Sequence, residues 1–142
     1  MHVAIIGSAR MLGRKLVERI VREGMAGGRE VSRLTLLDAV APQTPEGFSG
    51  PVEARQADLS APGEAERLVA ARPDTIFHLA AIVSAEAELD FDKGYRVNLD
   101  GTRLLFEAIR HASQGDSYRP RLVFASSIAV FGAPLPLSLI HI

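Results

Sequence analysis

The sequence predicts a doubly wound α/β fold built on a parallel sheet. Apolar runs that do not alternate recur along its 142 residues, as expected of strands buried on both faces. Segments with helical spacing separate these runs, and the first run ends in a glycine turn that leads directly into a helix. Five strands in the order 3-2-1-4-5 are expected, with a binding crevice above the carboxyl ends of strands 1 and 4.

The first strand, residues 3–6, is followed by the glycine turn and by a helix that Gly24 ends. Gly7 and Gly13 frame the pattern G-x-x-G-x-x-G, in which Arg10 replaces the middle glycine. The free backbone N–H groups of such a turn and the N-terminus of its helix bind phosphate, so the pattern predicts a dinucleotide site. A turn that needs glycine only for its geometry is the alternative.

Arg10 departs from the pattern at a position where the backbone must approach a pyrophosphate closely. Its side chain either obstructs the cofactor or swings out and pairs with a phosphate through its guanidinium. The departure bears on cofactor affinity and leaves the predicted fold unchanged.

The second strand, residues 33–38, ends on Asp38. A carboxylate at this strand end accepts hydrogen bonds from the adenosine ribose hydroxyls in a dinucleotide fold. No Arg or Lys follows at positions 39–41 to bind a 2′-phosphate, which favours NAD over NADP. A solvated Asp that opens a loop is the alternative.

Residues 24–28 and 39–50 are rich in Gly or Pro and are expected to be loops.

The third strand, residues 51–57, is closed by Asp58 and Leu59. Ser60 is expected to cap a helix over residues 61–72. The fourth strand then follows over residues 75–81.

The end of that fourth strand carries the small residues Ala80 and Ala81, which would let backbone lie against a cofactor. Acidic residues 85–92 are expected to form a solvated loop.

The longest helix is expected over residues 93–113, before a fifth strand over residues 121–127. Gly101 lies in the helix interior, where we expect it to permit close packing on the sheet. One turn earlier, Asn98 is expected to tie strand ends together.

Composition narrows the class of function. The net charge is −1, without a basic cluster, so neither nucleic acid nor a membrane surface is an expected partner. The absence of Cys excludes disulfides and thiolate metal sites and makes the cytoplasm the default compartment, and the four His lack ligand spacing. No signal peptide is expected, and the uncharged stretch 122–142 contains Gly and Pro that argue against a membrane span.

These motifs, in this order, resemble the extended short-chain dehydrogenase/reductases of the NAD-dependent epimerase/dehydratase family, whose nucleotide domain is a Rossmann fold. The resemblance covers residues 1–132 and is greatest to members that oxidise a sugar-acid hydroxyl to a ketone with NAD, a reaction of carbohydrate metabolism. It rests on Gly7, Gly13, Asp38, Asp58, Leu59, Asn98 and the segments 77–84, 94–102 and 126–132.

The resemblance implies particular roles for residues of this chain. Ser127 is the catalytic hydroxyl that hydrogen-bonds the reacting oxygen, and Ser126 lies nearer the cofactor. A sugar-acid substrate and a homodimer are also implied, whereas the absence of a metal site is expected from the spacing of the four His. The cofactor-binding residues implied are Gly7, Arg10, Met11, Leu12, Gly13, Asp38, Asp58, Leu59, Leu79, Ala80, Ala81, Asn98 and Ser126.

The catalytic base of the family, a Tyr followed four residues later by Lys, has no counterpart in the sequence. Tyr95 and Tyr118 are followed at that spacing by Leu99 and Leu122. We therefore expect an incomplete NAD-binding domain over 1–132, truncated after strand 5, and an inactive chain.

Residues 133–142 are expected to be a loop and a foreign tail. A sugar-nucleotide epimerase/dehydratase and a non-catalytic dinucleotide-binding module are the alternatives to a sugar-acid dehydrogenase.

Overall fold

The computed structural model describes residues 1–115, 117–127 and 130. Its strands are β1 (His2–Ile6), β2 (Met25–Ala26), β3 (Arg29–Glu30), β4 (Arg33–Asp38), β5 (Val52–Gln56), β6 (Thr75–His78) and β7 (Arg121–Phe124). Its helices are α1 (Met11–Glu23), α2 (Glu64–Ala70), α3 (Ser84–Leu89), α4 (Phe91–Tyr95) and α5 (Gly101–Ala112), with a π-helical turn (Arg96–Asp100) between α4 and α5.

Five parallel strands form the main sheet in the order β5-β4-β1-β6-β7. The central strand β1 pairs with β4, where Ile5 lies opposite Leu36, and with β6, where Ile6 lies opposite His78. This order confirms the predicted Rossmann topology. The chain order reverses at β1, so the carboxyl ends of β1 and β6 flank the point where such sheets bind ligands.

The core occupies both faces of the sheet, because every residue of β1 is buried and successive side chains point to opposite faces. Ala4 and Ile6 pack with residues of α2 and α5, whereas Val3 and Ile5 pack with residues of α1. Coverage on both faces explains why the strand sequences are continuously apolar.

Helix α1 ends where the sequence predicts it to end. Gly24 adopts a left-handed φ of 68°, and its N–H donates to the Ile20 carbonyl at 2.7 Å. Residues 24–28, expected to be a plain loop, instead contain part of the antiparallel hairpin of β2 and β3, in which Met25 pairs with Glu30.

The helix predicted over residues 61–72 is shorter and begins later, at Glu64. Ser60 does not cap it, because its N–H and its hydroxyl both donate to Asp58 Oδ1, at 2.9 and 2.6 Å. Gly63, with a φ of +80°, then precedes the first helical residue. The turn that Asp58 nucleates therefore delays the helix.

The acidic segment 85–92 is largely helical and is not the predicted loop. Lys93 Nζ contacts Glu86 Oε1 at 2.6 Å, and the Asp90 side chain accepts a hydrogen bond from the Lys93 N–H at 3.0 Å, which caps α4. The charge pattern alone predicts a solvated loop, because it does not indicate the contacts that Glu86 and Asp90 make with Lys93.

The predicted helix over 93–113 is divided by the π-helical turn, and the structure corrects the role of Gly101. A Cβ built there would lie 3.6 Å from the Ser60 backbone nitrogen, an ordinary contact. Gly101 therefore faces the loop before α2 and does not need to be glycine for packing on the sheet.

The predicted strands over 51–57, 75–81 and 121–127 are each trimmed at their ends. No helix in the described part of the chain is long and apolar enough to cross a bilayer. The predicted boundary at residue 132 and the predicted tail over 133–142 lie outside the described residues.

Candidate active site

The glycine turn after β1 requires glycine at both ends. Gly7 has a φ of +89°, and a Cβ on it would lie 2.7 Å from the Ala80 backbone nitrogen. A Cβ on Gly13 would overlap the Gly7 carbonyl oxygen. The segment 7–13, hereafter the turn wall, can therefore pack against the end of β6 and against its own helix only without these side chains.

Arg10 has no such requirement. It is the N-cap residue of α1, with φ −89° and ψ 169°, an extended conformation that any residue adopts. No side chain caps the first turn of α1, which also lacks acidic residues. Within the described residues, the Arg10 guanidinium makes no hydrogen bond or ion pair, and it is exposed beside Gly7 and Asp38.

Asp38 connects the end of β4 to the turn wall. Its carboxylate is only 6% exposed and accepts hydrogen bonds from the Ala9 N–H at 2.9 Å and the Val40 N–H at 3.1 Å. Each carboxylate oxygen can accept a further hydrogen bond. The carboxylate thus stabilises the turn and still offers acceptor capacity to a ligand.

Asp58 and Leu59 form the side of the cleft next to β5. Leu59 is buried, whereas Asp58 is half-buried, holds the Ser60 turn through Oδ1, and has Arg96 Nη2 3.9 Å from Oδ2. A carboxylate beside an apolar side chain is suited to the polar edge and the face of a planar base.

A single cleft at the carboxyl ends of β1 and β6 brings together seven of the residues predicted to bind the cofactor. They are Gly7, Arg10, Asp38, Asp58, Leu59, Ala80 and Ala81. Ile82, Lys93 and Val97 also line it, and Lys93 is paired with Glu86. We call residues 80–82, opposite the turn wall, the far wall.

Four predicted residues in or near these walls, namely Met11, Leu12, Gly13 and Leu79, do not line the cleft. Met11 and Leu12 lie in the first turn of α1 with exposed side chains, so only their backbone N–H groups face the helix N-terminus. Leu79 packs on the opposite face of the sheet, in the core that includes α1.

Asn98 does not line the cleft either, but it holds the far wall. Its Oδ1 accepts a hydrogen bond from the Ile82 N–H at 2.9 Å, and its Nδ2 donates to the Ile82 carbonyl at 3.0 Å. Both polar groups of the amide are thus used to fix one residue of backbone. The far wall lies beyond the end of β6, and the Asn98 side chain supplies its hydrogen bonds at Ile82.

His78 lies at the floor of the cleft, and sequence reasoning did not include it among the binding residues. It is 1% exposed, and its Nε2 lies 2.9 Å from the Thr102 hydroxyl oxygen. Burial lowers the pKa of the imidazole to about 4, so the ring is neutral at pH 7. The sequence signal that could have identified His78 is that it is a polar residue at the end of an otherwise apolar strand.

Ser126 and Ser127 follow β7 at the same edge of the sheet, where the Ala125 N–H still donates to the His78 carbonyl at 3.0 Å. Both side chains are exposed and neither lines the cleft. The structure therefore brings both serines to the edge of the sheet at which the cleft lies, but not into the cleft.

The two tyrosines are not arranged as bases at this edge. Tyr118 is buried, its hydroxyl donates to the Pro73 carbonyl at 3.0 Å, and burial raises its pKa to about 12. Pro73 precedes β6, so Tyr118 lies at the amino edge of the sheet, opposite the cleft. Tyr95 is exposed on α4, and its ring packs against Phe91.

The parallel sheet, the glycine turn and the acidic strand end together define a dinucleotide-binding α/β protein. The family model described as "NAD dependent epimerase/dehydratase family" matches residues 3–139, and the chain belongs to that family. Family membership confirms the resemblance inferred from the motifs.

Individual relatives carry two kinds of name. The chain is 41% identical over 140 residues to D-erythronate dehydrogenase of Cupriavidus necator. It is 69% identical, with a TM-score of 0.93, to the crystal structure of a nucleoside-diphosphate-sugar epimerase from Agrobacterium tumefaciens. It is also similar, at 32% identity and a TM-score of 0.66, to a uronate dehydrogenase mutant from A. tumefaciens in complex with NAD.

These matches cover most of this chain but less than half of each relative. They span 96% of the chain and 41% of the D-erythronate dehydrogenase, 96% and 40% for the epimerase, and 89% and 40% for the uronate dehydrogenase.

Proposed function

We propose that this chain forms the NAD-binding part of a sugar-acid dehydrogenase of the D-erythronate dehydrogenase type, which oxidises a hydroxyl to a ketone. The observation that carries the proposal is the cleft between the turn wall and the far wall, where Gly7 leaves no room for a side chain next to Ala80. The curated relative named D-erythronate dehydrogenase supports the substrate class, and the absence of Cys is compatible with a cytoplasmic enzyme of carbohydrate metabolism.

The residues present fit NAD. The glycine cradle and the uncapped first turn of α1, with the backbone of Met11, Leu12 and Gly13, would face the pyrophosphate. Asp38 would accept from the adenosine ribose, and Asp58 with Leu59, Ala80 and Ala81 would hold the base. Bound NAD supplies the hydride acceptor of the oxidation.

Ser127 would orient the reacting oxygen of the substrate, with Ser126 beside the cofactor. Leu79 and Asn98 support the cleft from behind through packing and through the Ile82 hydrogen bonds.

We also propose that the chain lacks the base that catalytic turnover requires. Removal of the hydroxyl proton needs a base, which contributes about 10²–10⁴-fold to rate. Tyr118 is committed to Pro73, and the pKa of His78 is held near 4 by burial. We propose that the 142-residue chain binds NAD but does not turn over.

A sugar-nucleotide epimerase/dehydratase is the second candidate, because the 69% identical structure is named a nucleoside-diphosphate-sugar epimerase. A sugar nucleotide would bind through its nucleoside diphosphate, whereas a sugar acid has no such group. Measuring whether a sugar nucleotide or a sugar acid competes for binding therefore separates the two candidates more directly than measuring cofactor binding does.

A homodimer is proposed from exposed apolar side chains on α4, on the π-helical turn and on α5. Phe91, Tyr95, Leu99 and Phe106 are between 49% and 66% exposed. Tyr95→Glu would abolish a dimer measured by light scattering. Val40→Glu, on the loop after β4 and 56% exposed, is the matched control. A monomeric wild-type chain would overturn this proposal.

Titration by calorimetry tests the cofactor assignment. NAD should bind more tightly than NADP, because a 2′-phosphate would meet the Asp38 carboxylate, whose partners among the described residues are the backbone N–H groups of Ala9 and Val40 and no cation. Equal or tighter NADP binding would contradict it and would implicate Arg10 as the receptor of the 2′-phosphate. Incubation with NAD and D-erythronate should give no NADH absorbance, and turnover that disappears in Ser127→Ala would contradict the proposed inactivity.

A further inference from the structure

One face of the main sheet is covered by a helix over only part of its width. Helix α1 covers β1 and β4, where Val17 shares a core with Ile5 and Leu36. The same face continues onto β6 and β7, because Phe77 lies opposite Ile5 and Val123 lies opposite Phe77. Exposure rises along this row: Ile5 is fully buried, Phe77 is half-buried and Val123 is 38% exposed. The cover that α1 provides therefore ends at β6.

Apolar side chains surround the uncovered part of this face. Leu16 of α1 and Met25 of the β2–β3 hairpin line a groove with Phe77, and Met25 is 40% exposed. Leu79, which is half-buried, extends the same face towards the carboxyl edge of the sheet. We call the surface formed by Leu16, Met25, Phe77, Leu79 and Val123 the open face. All of these side chains are apolar, so their contact with water is unfavourable.

The dimensions of the open face fit one helix. Parallel strands lie about 4.8 Å apart and a helix with its side chains is about 10 Å across, so one helix covers two strands. Parallel sheets are almost always covered by helices on both faces. Because α1 rises about 10 Å from the sheet beside it, the open face lies in a depression that a single helix can enter. The flat side of a second copy of this chain does not reach into such a depression.

The relatives contain additional polypeptide from which such a helix could come. The chain is 69% identical to the A. tumefaciens epimerase and covers 40% of it, so most of that protein has no counterpart here. The D-erythronate dehydrogenase of C. necator likewise extends well beyond the 41% of its length that is matched. An apolar sheet face that is exposed in the matched part points to a cover in the unmatched part.

We propose that the open face is the docking surface for an amphipathic helix from the part of these relatives that this chain does not match. The apolar side of that helix would bury Met25, Phe77 and Val123. The inference goes beyond the proposed function and does not depend on it, because no residue of the open face lines the cleft.

Co-expression of two polypeptides tests the inference. The 142-residue chain carries an affinity tag, and the probe is the untagged unmatched part of the A. tumefaciens epimerase. The wild-type chain should retain the probe in an equimolar complex. Val123→Asp should retain less than about a tenth as much, because docking would bury an unpaired carboxylate. Val40→Asp, at a 56% exposed position on the loop after β4, is the matched control and should retain as much probe as the wild type.

Met25→Asp is the second variant. Met25 belongs to the hairpin and not to the main sheet, so this variant keeps the test decisive should Val123→Asp fail to fold. It should reduce retention of the probe at least about threefold.

A wild-type chain that does not retain the probe, or that leaves it insoluble, would overturn the inference. Equal retention by Met25→Asp, Val123→Asp and Val40→Asp would also overturn it, because docking would then lie elsewhere. Self-association of the wild type that Val123→Asp abolishes and Tyr95→Glu does not would assign the open face to a second copy instead. The readout does not involve NAD, so failure of the proposed function remains distinguishable.

Discussion

The two walls of the cleft are held by different kinds of interaction. The turn wall is determined by steric limits within a few residues, where Gly7 and Gly13 have no room for a Cβ. The far wall leaves the sheet and is fixed by side chains distant in sequence, since Asn98 binds Ile82 and Thr102 binds His78. Substitutions in the turn wall should therefore destabilise the fold through steric overlap, and substitutions that affect the far wall should do so through loss of hydrogen bonds.

Gly13→Ala should have the largest effect. Its methyl would overlap the Gly7 carbonyl oxygen, so we expect a loss of about 3 kcal/mol in the free energy of unfolding. Gly101→Ala is the control, because its methyl meets only ordinary contacts and should gain up to about 1 kcal/mol from helix propensity. Urea unfolding measures both, and equal stabilities would contradict the steric account.

The far wall should instead respond to acid. Burial lowers the folded-state pKa of His78 to about 4 from the ordinary value of 6.5, so the unfolded chain binds the proton more readily. The stability that the neutral ring contributes is present above pH 6.5 and is lost as the pH falls towards 4, by about 2–3 kcal/mol.

Comparison with His78→Gln isolates this effect by urea unfolding across that pH range. The pKa of His2 is also lowered, chiefly by burial, so its contribution has the same sign and cancels in the comparison. Identical pH profiles for the two proteins would show that His78 is not buried in its neutral form.

The sequence predicted the turn wall and also Ala80 and Ala81 of the far wall, but it did not predict the pairing of His78 with Thr102, for a physical reason. A glycine turn and an apolar strand are local patterns, and they predicted that Gly7 follows β1, that Gly13 lies at the start of α1 and that Asp38 ends β4. The helical conformation of 85–92 depends on Lys93 pairing with Glu86 and capping by Asp90. Long-range pairs such as His78 with Thr102 leave no periodic signal, so the polar floor of the cleft was not predicted.

Asn98→Ala should have a moderate effect on the far wall. Its loss leaves the Ile82 N–H and carbonyl without their partner, which costs about 1–2 kcal/mol. Adenosine affinity should fall as well, because Ile82 lines the cleft. Arg103→Ala, at an exposed position on α5 away from the cleft, is the control for unfolding and titration. An Asn98→Ala protein as stable as this control would exclude the role.

Arg10→Gly should have the smallest effect and acts on ligand binding alone. The extended backbone of Arg10 needs no glycine, and its exposed guanidinium is available to a phosphate. We expect about tenfold weaker NAD binding, or about 1.4 kcal/mol, with unchanged adenosine binding. Lys15→Ala, a cation on the exposed face of α1, should bind NAD as the wild type does. Tighter binding by Arg10→Gly would mean that the side chain obstructs the pyrophosphate.

The central claim is that NAD occupies the cleft between the two walls through its adenosine half. Calorimetric titration of the 142-residue chain with NAD, repeated in the presence of excess adenosine, tests it most directly. The account predicts saturable NAD binding that adenosine abolishes by competition. Absence of NAD binding by the folded chain, or NAD binding that adenosine does not displace, would contradict it.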